Sequence, residues 1–125
     1  MNLLVRWLRF NAVGAGGILV QLGTLWLLIS VAGLHYLLAT GLAVETALLH
    51  NYAWHRVWTW SDRRGSLLRF HATTGMISIV SNVLVMWALH RLPIPFLAAN
   101  GIAIVMTNLA NFGAAEWFAF RPARR

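Results

Sequence analysis

Residues 35–54, HYLLATGLAVETALLHNYAW, decide the fold class of this chain. The stretch is apolar, holds no Lys or Arg, and matches the roughly 20 residues that an α-helix needs to cross a ~30 Å hydrocarbon core. Its one acidic residue, Glu45, lies near the middle. A carboxyl group at that depth costs roughly 2.5–3.5 kcal/mol on insertion scales, so it marks a functional site by default. The stretch therefore predicts a membrane-spanning helix whose carboxyl group lines a path, pairs structurally or binds a ligand.

Composition extends this prediction to the whole chain. Of 125 residues, 59% are hydrophobic and 10% are charged, and the mean hydropathy is +0.66. A soluble domain of this size cannot bury so much apolar surface, so lipid must cover the remainder. Four apolar segments of spanning length run approximately over 11–32, 35–54, 71–89 and 96–118. We predict an all-α polytopic membrane protein with four transmembrane helices in one domain, 1–125, and no aqueous catalytic domain.

The basic residues predict the orientation in the membrane. All ten are Arg, and only Arg91 falls in a loop on the far side of the predicted bundle. The other nine are Arg6, Arg9, Arg56, Arg63, Arg64, Arg69, Arg121, Arg124 and Arg125. Positive residues stay inside, so both termini and the middle loop are expected in the cytoplasm. Because these residues form no independent basic face, we expect anionic membrane lipids rather than nucleic acid as their partner.

The chain is also predicted to be a duplication of a two-helix unit, with repeat one over 9–60 and repeat two over 69–120. Identical residues recur 60 positions apart: Arg9/Arg69, Phe10/Phe70, Ala12/Ala72, Ala39/Ala99, Gly41/Gly101, Ala43/Ala103 and Asn51/Asn111. Within the first helix of each unit, a slip of one residue aligns further pairs: Gly14/Gly75, Gly17/Ser78, Gln21/Asn82 and Trp26/Trp87. Each unit holds two helices, so the copies enter the membrane from the same side and are parallel.

Polar side chains at one depth define the candidate site. At 1.5 Å of rise per residue, four of them come out near the bilayer centre, one from each predicted helix. They are Gln21, Glu45, Asn82 and Asn108. Hydrocarbon penalises every polar group that lacks a partner, so a shared cluster between the helices is expected. The cluster either binds cargo or only fixes the bundle, and the residues leave both readings open.

Two further residues of the second helix extend the candidate site towards the cytoplasm. Tyr52 and Arg56 each lie about 20° from Glu45 around the helix axis, so the three form a stripe from the bilayer centre to the headgroups. The chain contains no cysteine, and its His residues show no metal-ligand spacing. No Ser/His/Asp arrangement or carboxylate pair can be drawn either. We therefore predict no catalytic residues, no metal and no cofactor.

Several motifs resemble those of a known family. They are Arg9-Phe10 with Gly14, Asn51-Tyr52-x3-Arg56-x-Trp58-x-Trp60, Arg69-Phe70 with Gly75, and Asn111-Phe112 ending in Phe118 and Phe120. This pattern, over nearly the whole chain, is similar to the GtrA-like family. Its members are small four-helix membrane proteins associated with moving or supplying polyprenyl-phosphate-linked sugars for cell-envelope glycosylation. Glu116 stands where the second copy of the motif usually has Arg, which predicts that Arg56 and Glu116 pair.

The resemblance implies a flippase-like function: binding and translocating a polyprenyl-phosphate-linked sugar across a bacterial-type inner membrane, for polysaccharide biosynthesis. The lipid phosphate would bind Arg9, Arg56 and Arg69, which offer bidentate contacts. The candidate substrate-binding residues are Gln21, Glu45, Asn51, Tyr52, Asn82, Asn108 and Asn111. Four helices barely enclose a sugar, so we expect either a homodimer or a groove that is open to lipid. Two alternatives stay open: a non-transporting subunit that presents lipid-linked sugar to a membrane glycosyltransferase, and a proton-coupled exporter of small cations.

Overall fold

The computed structural model describes residues 2–122, apart from the side chains of residues 106 and 109. Five α-helices run over Leu3–Trp26 (α1), Tyr36–Trp54 (α2), Leu67–Phe70 (α3), Met76–Leu89 (α4) and Phe96–Ala114 (α5). Four π-helical turns join or extend them, over Leu27–Val31 (π1), His55–Thr59 (π2), His71–Gly75 (π3) and Ala115–Ala119 (π4). Two short strands, Arg64–Gly65 (β1) and Phe120–Arg121 (β2), pair antiparallel. Arg124 and Arg125, which were predicted to face the cytoplasm, lie outside the described residues.

The helices are those of a membrane protein. The continuous rods Leu3–Val31 and Leu67–Leu89 are long and apolar enough to cross a bilayer. The pair Phe96–Val105 and Ala110–Ala119 makes a third span if it counts as one helix bent by 51°. The predicted all-α class is therefore confirmed for the described part of the chain, whereas the number of four spans stays a prediction.

Side chains and turns fix where the helices begin. Asn2 caps α1, because its Oδ1 accepts a hydrogen bond from the backbone N–H of Val5 at 2.9 Å. Ser66 caps α3 in the same way. The loop after π1 turns at Gly33, whose φ of +68° favours glycine. Pro95 stands directly before α5, a position where its missing N–H costs no helical hydrogen bond.

The π turns account for the slip of one residue between the predicted repeats. A π turn bonds residue i to i+5, so it takes in one residue more than an α turn. π3 lies where the slip begins, between Phe70 and the end of the turn at Gly75. π1 adds one residue to the first half in the same way. The offset between the halves therefore returns to 60, and α2 and α5 begin at Tyr36 and Phe96. The duplication stays a prediction, and this spacing supports it.

Two apolar clusters close the ends of the bundle and leave a polar layer between them. At the end that carries Arg6, Arg9 and Arg63, here called the arginine-rich end, the rings of Trp60 and Phe120 stack at 4.6 Å. The buried members of this cluster are Phe10, Leu48, Tyr52, Trp60, Phe70, Phe112, Ala115, Ala119 and Phe120. At the opposite end the core is Leu25, Ala39, Ala43, Met86 and Ala99. The polar layer between the clusters holds the candidate site.

Candidate functional site

A buried cluster of side-chain amides joins α1, α4 and α5. Gln21 of α1 donates through Nε2 to Asn100 Oδ1 of α5 at 2.6 Å and to Asn82 Oδ1 of α4 at 3.3 Å. Asn82 Nδ2 donates in turn to the carbonyl oxygen of Ser78 at 2.7 Å. Hydrogen bonds between buried amides are strong in a low-dielectric interior, and in this cluster only Asn100 Nδ2 has no partner among the described residues. The cluster therefore fixes three helices relative to one another.

Beside the amide cluster lies a cavity of about 170 Å³, here called the polar cavity. Its polar lining comes from α1, α2, α4 and α5: Asn11, Gln21, Asn51, Ser78, Asn82, Thr107, Asn108 and Asn111. Asn111 Nδ2 donates to Ser78 Oγ at 2.8 Å, while its buried Oδ1 has no partner in the described part of the chain. A buried acceptor of this kind costs free energy until something donates to it. The polar cavity therefore offers unused hydrogen-bonding capacity.

Glycines on α1 make room for this cavity. Gly14 and Gly17 both line it. A Cβ atom on Gly17 would lie only 2.8 Å from Asn51 Cγ, so a larger residue there would displace the Asn51 side chain. Nothing lies within 4 Å of a Cβ built on Gly14, which leaves that side of the cavity open. These two glycines of α1 thus border a space rather than only a contact between helices.

The structure brings most of the predicted substrate-binding residues together. Gln21, Asn51, Asn82, Asn108 and Asn111 all line the polar cavity. Tyr52 lies apart, buried between the rings of Phe70 at 5.4 Å and Phe120 at 5.9 Å. Glu45 also lies apart from the cavity lining.

Glu45 pairs with a histidine outside the polar cavity. Its Oε1 lies 2.7 Å from His71 Nε2, and the carboxyl side chain is 38% exposed. His71 Nδ1 faces the carbonyl oxygen of Leu67 at 3.2 Å, which can only accept, so Nδ1 carries a hydrogen. One further proton must then lie between Nε2 and the carboxyl group. The polar residues predicted to form one cluster therefore lie in two places, the amides at the polar cavity and Glu45 outside it.

The helical phase explains this division. The cavity face of α2 is Val44, Ala47, Leu48 and Asn51, which repeats at i, i+3, i+4 and i+7. Glu45 follows Val44 by one residue and so points about 100° away from that face. Counting the rise gives only the height of a side chain in the bilayer, not the direction in which it points.

Glu116 contacts two arginines other than the one predicted. Its carboxylate lies 3.0 Å from Arg6 and 3.0 Å from Arg63, and it accepts a hydrogen bond from Trp60 Nε1 at 2.7 Å. The predicted pairing with Arg56 is therefore wrong, because Arg56 is exposed on π2 while π4 turns Glu116 inward beneath Trp60. Sequence reasoning missed this cluster, since no spacing links the first helix to the loop and the last turn.

The candidate phosphate-binding arginines lie outside the polar cavity. Arg9 donates to the carbonyl oxygen of Trp58 at 2.8 Å, and its guanidinium lies 5.3 Å from the centre of that ring. Arg56 and Arg69 are exposed. Among the described residues that line the polar cavity, none is charged. The structure thus separates a charged end from a neutral polar interior.

Sequence reasoning also missed Asn100 and Ser78. Asn100 is fully buried and accepts the shortest bond of the amide cluster. The spacing of residues on α5 could have revealed it, because residues 100, 104, 107, 108 and 111 fall on one helical face. In the sequence Ser78 is only the repeat partner of Gly17, yet its hydroxyl and its carbonyl group both accept hydrogen bonds from cavity-lining amides.

Apolar spans around an amide-lined cavity define a multi-pass membrane domain with a polar interior. The chain belongs to the GtrA/DPMS transmembrane-domain family, which it matches over residues 9–120. This confirms the resemblance drawn from the motifs. Over 107 residues it is 40% identical to a dolichol-phosphate mannosyltransferase of Pyrococcus furiosus. The match covers 82% of this chain but 30% of that protein, so the chain spans less than a third of the relative's length.

Proposed function

We propose that the protein binds a polyprenyl-phosphate-linked sugar within the membrane and moves it to the opposite leaflet. A membrane role connected with such sugars is supported by the family and by the relative, whose name states that it acts with dolichol phosphate. Movement to the opposite leaflet goes beyond what the family and the relative support. The observation that carries it is the polar cavity, which is lined by amide side chains from α1, α2, α4 and α5.

The chemistry of the polar cavity suits a sugar. Hydroxyl groups donate and accept hydrogen bonds, and Asn and Gln side chains offer both functions in return. The unpartnered Oδ1 of Asn111 can accept from a hydroxyl, which would remove the cost of burying it alone. The volume of about 170 Å³ is below the ~300–1,000 Å³ of pockets for drug-sized ligands, so it suits a group no larger than one sugar ring.

The absence of charge in the lining argues against a cation cargo. No carboxylate lies among the described residues of the cavity, and Glu45 is engaged with His71 instead. A small cation would need to be paired or coordinated at such a depth, because a bare charge is expensive there. A neutral sugar has no such requirement. Of the two transport hypotheses, the lipid-linked sugar is therefore the better supported.

In this proposal the arginine-rich end faces the cytoplasm of a bacterial-type inner membrane. Nine of the ten arginines would then lie inside, in accord with the distribution of positive charge in membrane proteins. Arg9, Arg56 and Arg69 would bind the lipid phosphate or anionic headgroups there. The sugar would pass to Asn51, Asn108 and the other cavity amides while the polyprenyl chain stays in lipid. A homodimer would widen the space that one bundle can enclose.

A second candidate function is that of an accessory subunit. It is favoured by one observation, that the chain corresponds to less than a third of a relative named as a transferase. In that case the protein is no enzyme itself and presents the lipid-linked sugar to a separate membrane glycosyltransferase. The polar cavity would then hold the sugar without releasing it on the other side.

Reconstitution into liposomes distinguishes these functions. A labelled polyprenyl-phosphate hexose is placed in one leaflet, and its accessibility in the other is followed with time. We expect Asn51→Ala and Asn108→Ala to slow movement of the sugar at least tenfold. Thr46→Ala, which changes an exposed polar residue on the same helix as Asn51, should leave the rate unchanged. Equal rates in all variants would exclude the polar cavity as the path. No movement with the unmodified protein, together with stimulation of an added glycosyltransferase, would establish the accessory role.

A further inference from the structure

A second and larger cavity lies on the outside of the bundle between α1 and α2. Its volume is about 560 Å³, more than three times that of the polar cavity. Apart from His50 it is lined by apolar groups, and we call it the outer groove. Its lining includes Ala12, Val13, Gly16, His50, Trp54 and Trp58.

The groove has small residues at its floor and two tryptophans along one side. Ala12 and Gly16 are four residues apart on α1, so they lie one above the other and leave the floor without bulky side chains. A Cβ atom on Gly16 would already lie 3.3 Å from His50 Cε1. Trp54 and Trp58 are likewise four residues apart and both are exposed, so they form two rigid rings along one side. The shape suits a single hydrocarbon chain.

A fixed positive charge lies next to this apolar space. Trp58, which lines the groove, holds Arg9 both through its carbonyl oxygen at 2.8 Å and beneath its ring at 5.3 Å. A guanidinium group has five N–H donors, and this contact uses one of them. The others can bind an oxyanion. An apolar groove with a cation beside it complements an amphiphile that has an anionic head and a long chain.

The outer groove and the polar cavity share a wall. His50 lines the groove and Asn51 lines the cavity, and their side chains are 3.0 Å apart from Nδ1 to Oδ1. Opposite them on α1, Gly16 faces His50 and Gly17 faces Asn51. Two adjacent residues of each helix thus separate the apolar space from the polar one.

We propose that the outer groove binds the phosphate-proximal part of a single polyisoprenyl chain, with the phosphate on Arg9 and the chain between the two tryptophans. The inference rests on the proposed function for the identity of the lipid. It adds a chain-binding site that is distinct from the site of the sugar, and it assigns His50 to the boundary between them.

Binding of a sugar-free lipid tests the groove separately from the cavity. Purified protein is titrated with a long-chain polyisoprenyl monophosphate and followed by native mass spectrometry, with phosphatidylglycerol as competitor. We expect Ala12→Trp, which fills the floor of the groove, to weaken binding about tenfold. Leu19→Trp places the same side chain on the lipid-facing surface of α1 outside the groove, and should bind as the unmodified protein does.

A photoreactive group on the first isoprene unit provides a second measurement that needs no variant. Cross-links should concentrate in residues 50–58 of the unmodified protein. Equal binding by Ala12→Trp, cross-links elsewhere, or competition by phosphatidylglycerol at equal concentration would each overturn the proposal. If the lipid occupies the groove but liposomes show no sugar movement, the proposed function fails and the groove stands. If sugar movement depends on Asn108 while Ala12→Trp binds the lipid normally, the proposed function stands and the groove fails.

Discussion

Replacing Glu116 is expected to destabilise the arginine-rich end more than any single change at the surface. The carboxylate is 4% exposed and contacts Arg6 and Arg63, whose side chains are 11% and 12% exposed, together with Trp60 Nε1. Removing one partner of a buried ion pair costs about 3–5 kcal/mol, because it leaves the other charge uncompensated. The cost here is reduced by contacts that remain. Arg6 keeps Asp62 at 3.4 Å, and Arg63 keeps two carbonyl oxygens at 3.1 Å.

We therefore expect Glu116→Ala to lower the free energy of unfolding by about 3 kcal/mol, at the low end of that range. Glu116→Gln keeps an acceptor for Trp60 and should cost about 2 kcal/mol. The measurement is reversible unfolding of the purified protein in detergent micelles, followed by tryptophan fluorescence during a titration with denaturing detergent. Asp62→Asn is the control, since its carboxylate is 46% exposed and its ion pair is worth at most about 1 kcal/mol.

Two outcomes would refute this reasoning. One is a loss of less than about 1 kcal/mol in Glu116→Ala, which would mean that the arginines find other partners or water. The other is a coupling energy between Arg56→Ala and Glu116→Ala in a double-mutant cycle, which would restore the pair that the structure excludes. Additive effects of those two substitutions agree with the exposed position of Arg56.

Three further predictions concern the interior. Gln21→Leu should cost about 1–3 kcal/mol in the same unfolding measurement, because it leaves buried amide groups without partners. Gly17→Leu should stop sugar movement in liposomes, since its side chain takes the space of the Asn51 amide and of the cavity; full movement would show that the sugar travels elsewhere. Glu45→Ala should lower the free energy of unfolding more than Glu45→Gln does, because the Gln amide can still hydrogen-bond to His71 Nε2; equal losses would show that this contact does not stabilise the fold.

Much of the fold could be predicted because lipid makes strong demands on a sequence. Segments of spanning length, the clustering of Arg at one end and the placement of amides at one height follow from the cost of burying polar groups in hydrocarbon. The positions of Gln21, Asn82 and Asn108 could be predicted to this extent, and the structure sets all three around one cavity.

What could not be predicted depends on direction and on contacts between distant segments. Glu45 has the expected height but points away from the cavity, because its direction depends on how α2 is rotated against its neighbours. Glu116 lies 110 residues from Arg6 in the chain, and no periodicity connects them. The outer groove cannot be predicted from the sequence either, since it exists only where the small residues of α1 meet Trp54 of α2 and Trp58 of π2.

The turn at His71–Gly75 shows how this bundle tolerates change in length. Side chains of this turn cover two carbonyl groups of the preceding helix α3, with Thr73 Oγ1 donating to the carbonyl oxygen of Arg69 at 2.7 Å and His71 Nδ1 to that of Leu67. The turn holds one residue more than an α-helical turn, and Ser78 and Asn82 beyond it still point into the bundle. On the prediction that the two halves are copies of one unit, such a turn lets one copy carry an additional residue while its inward-facing side chains keep their place.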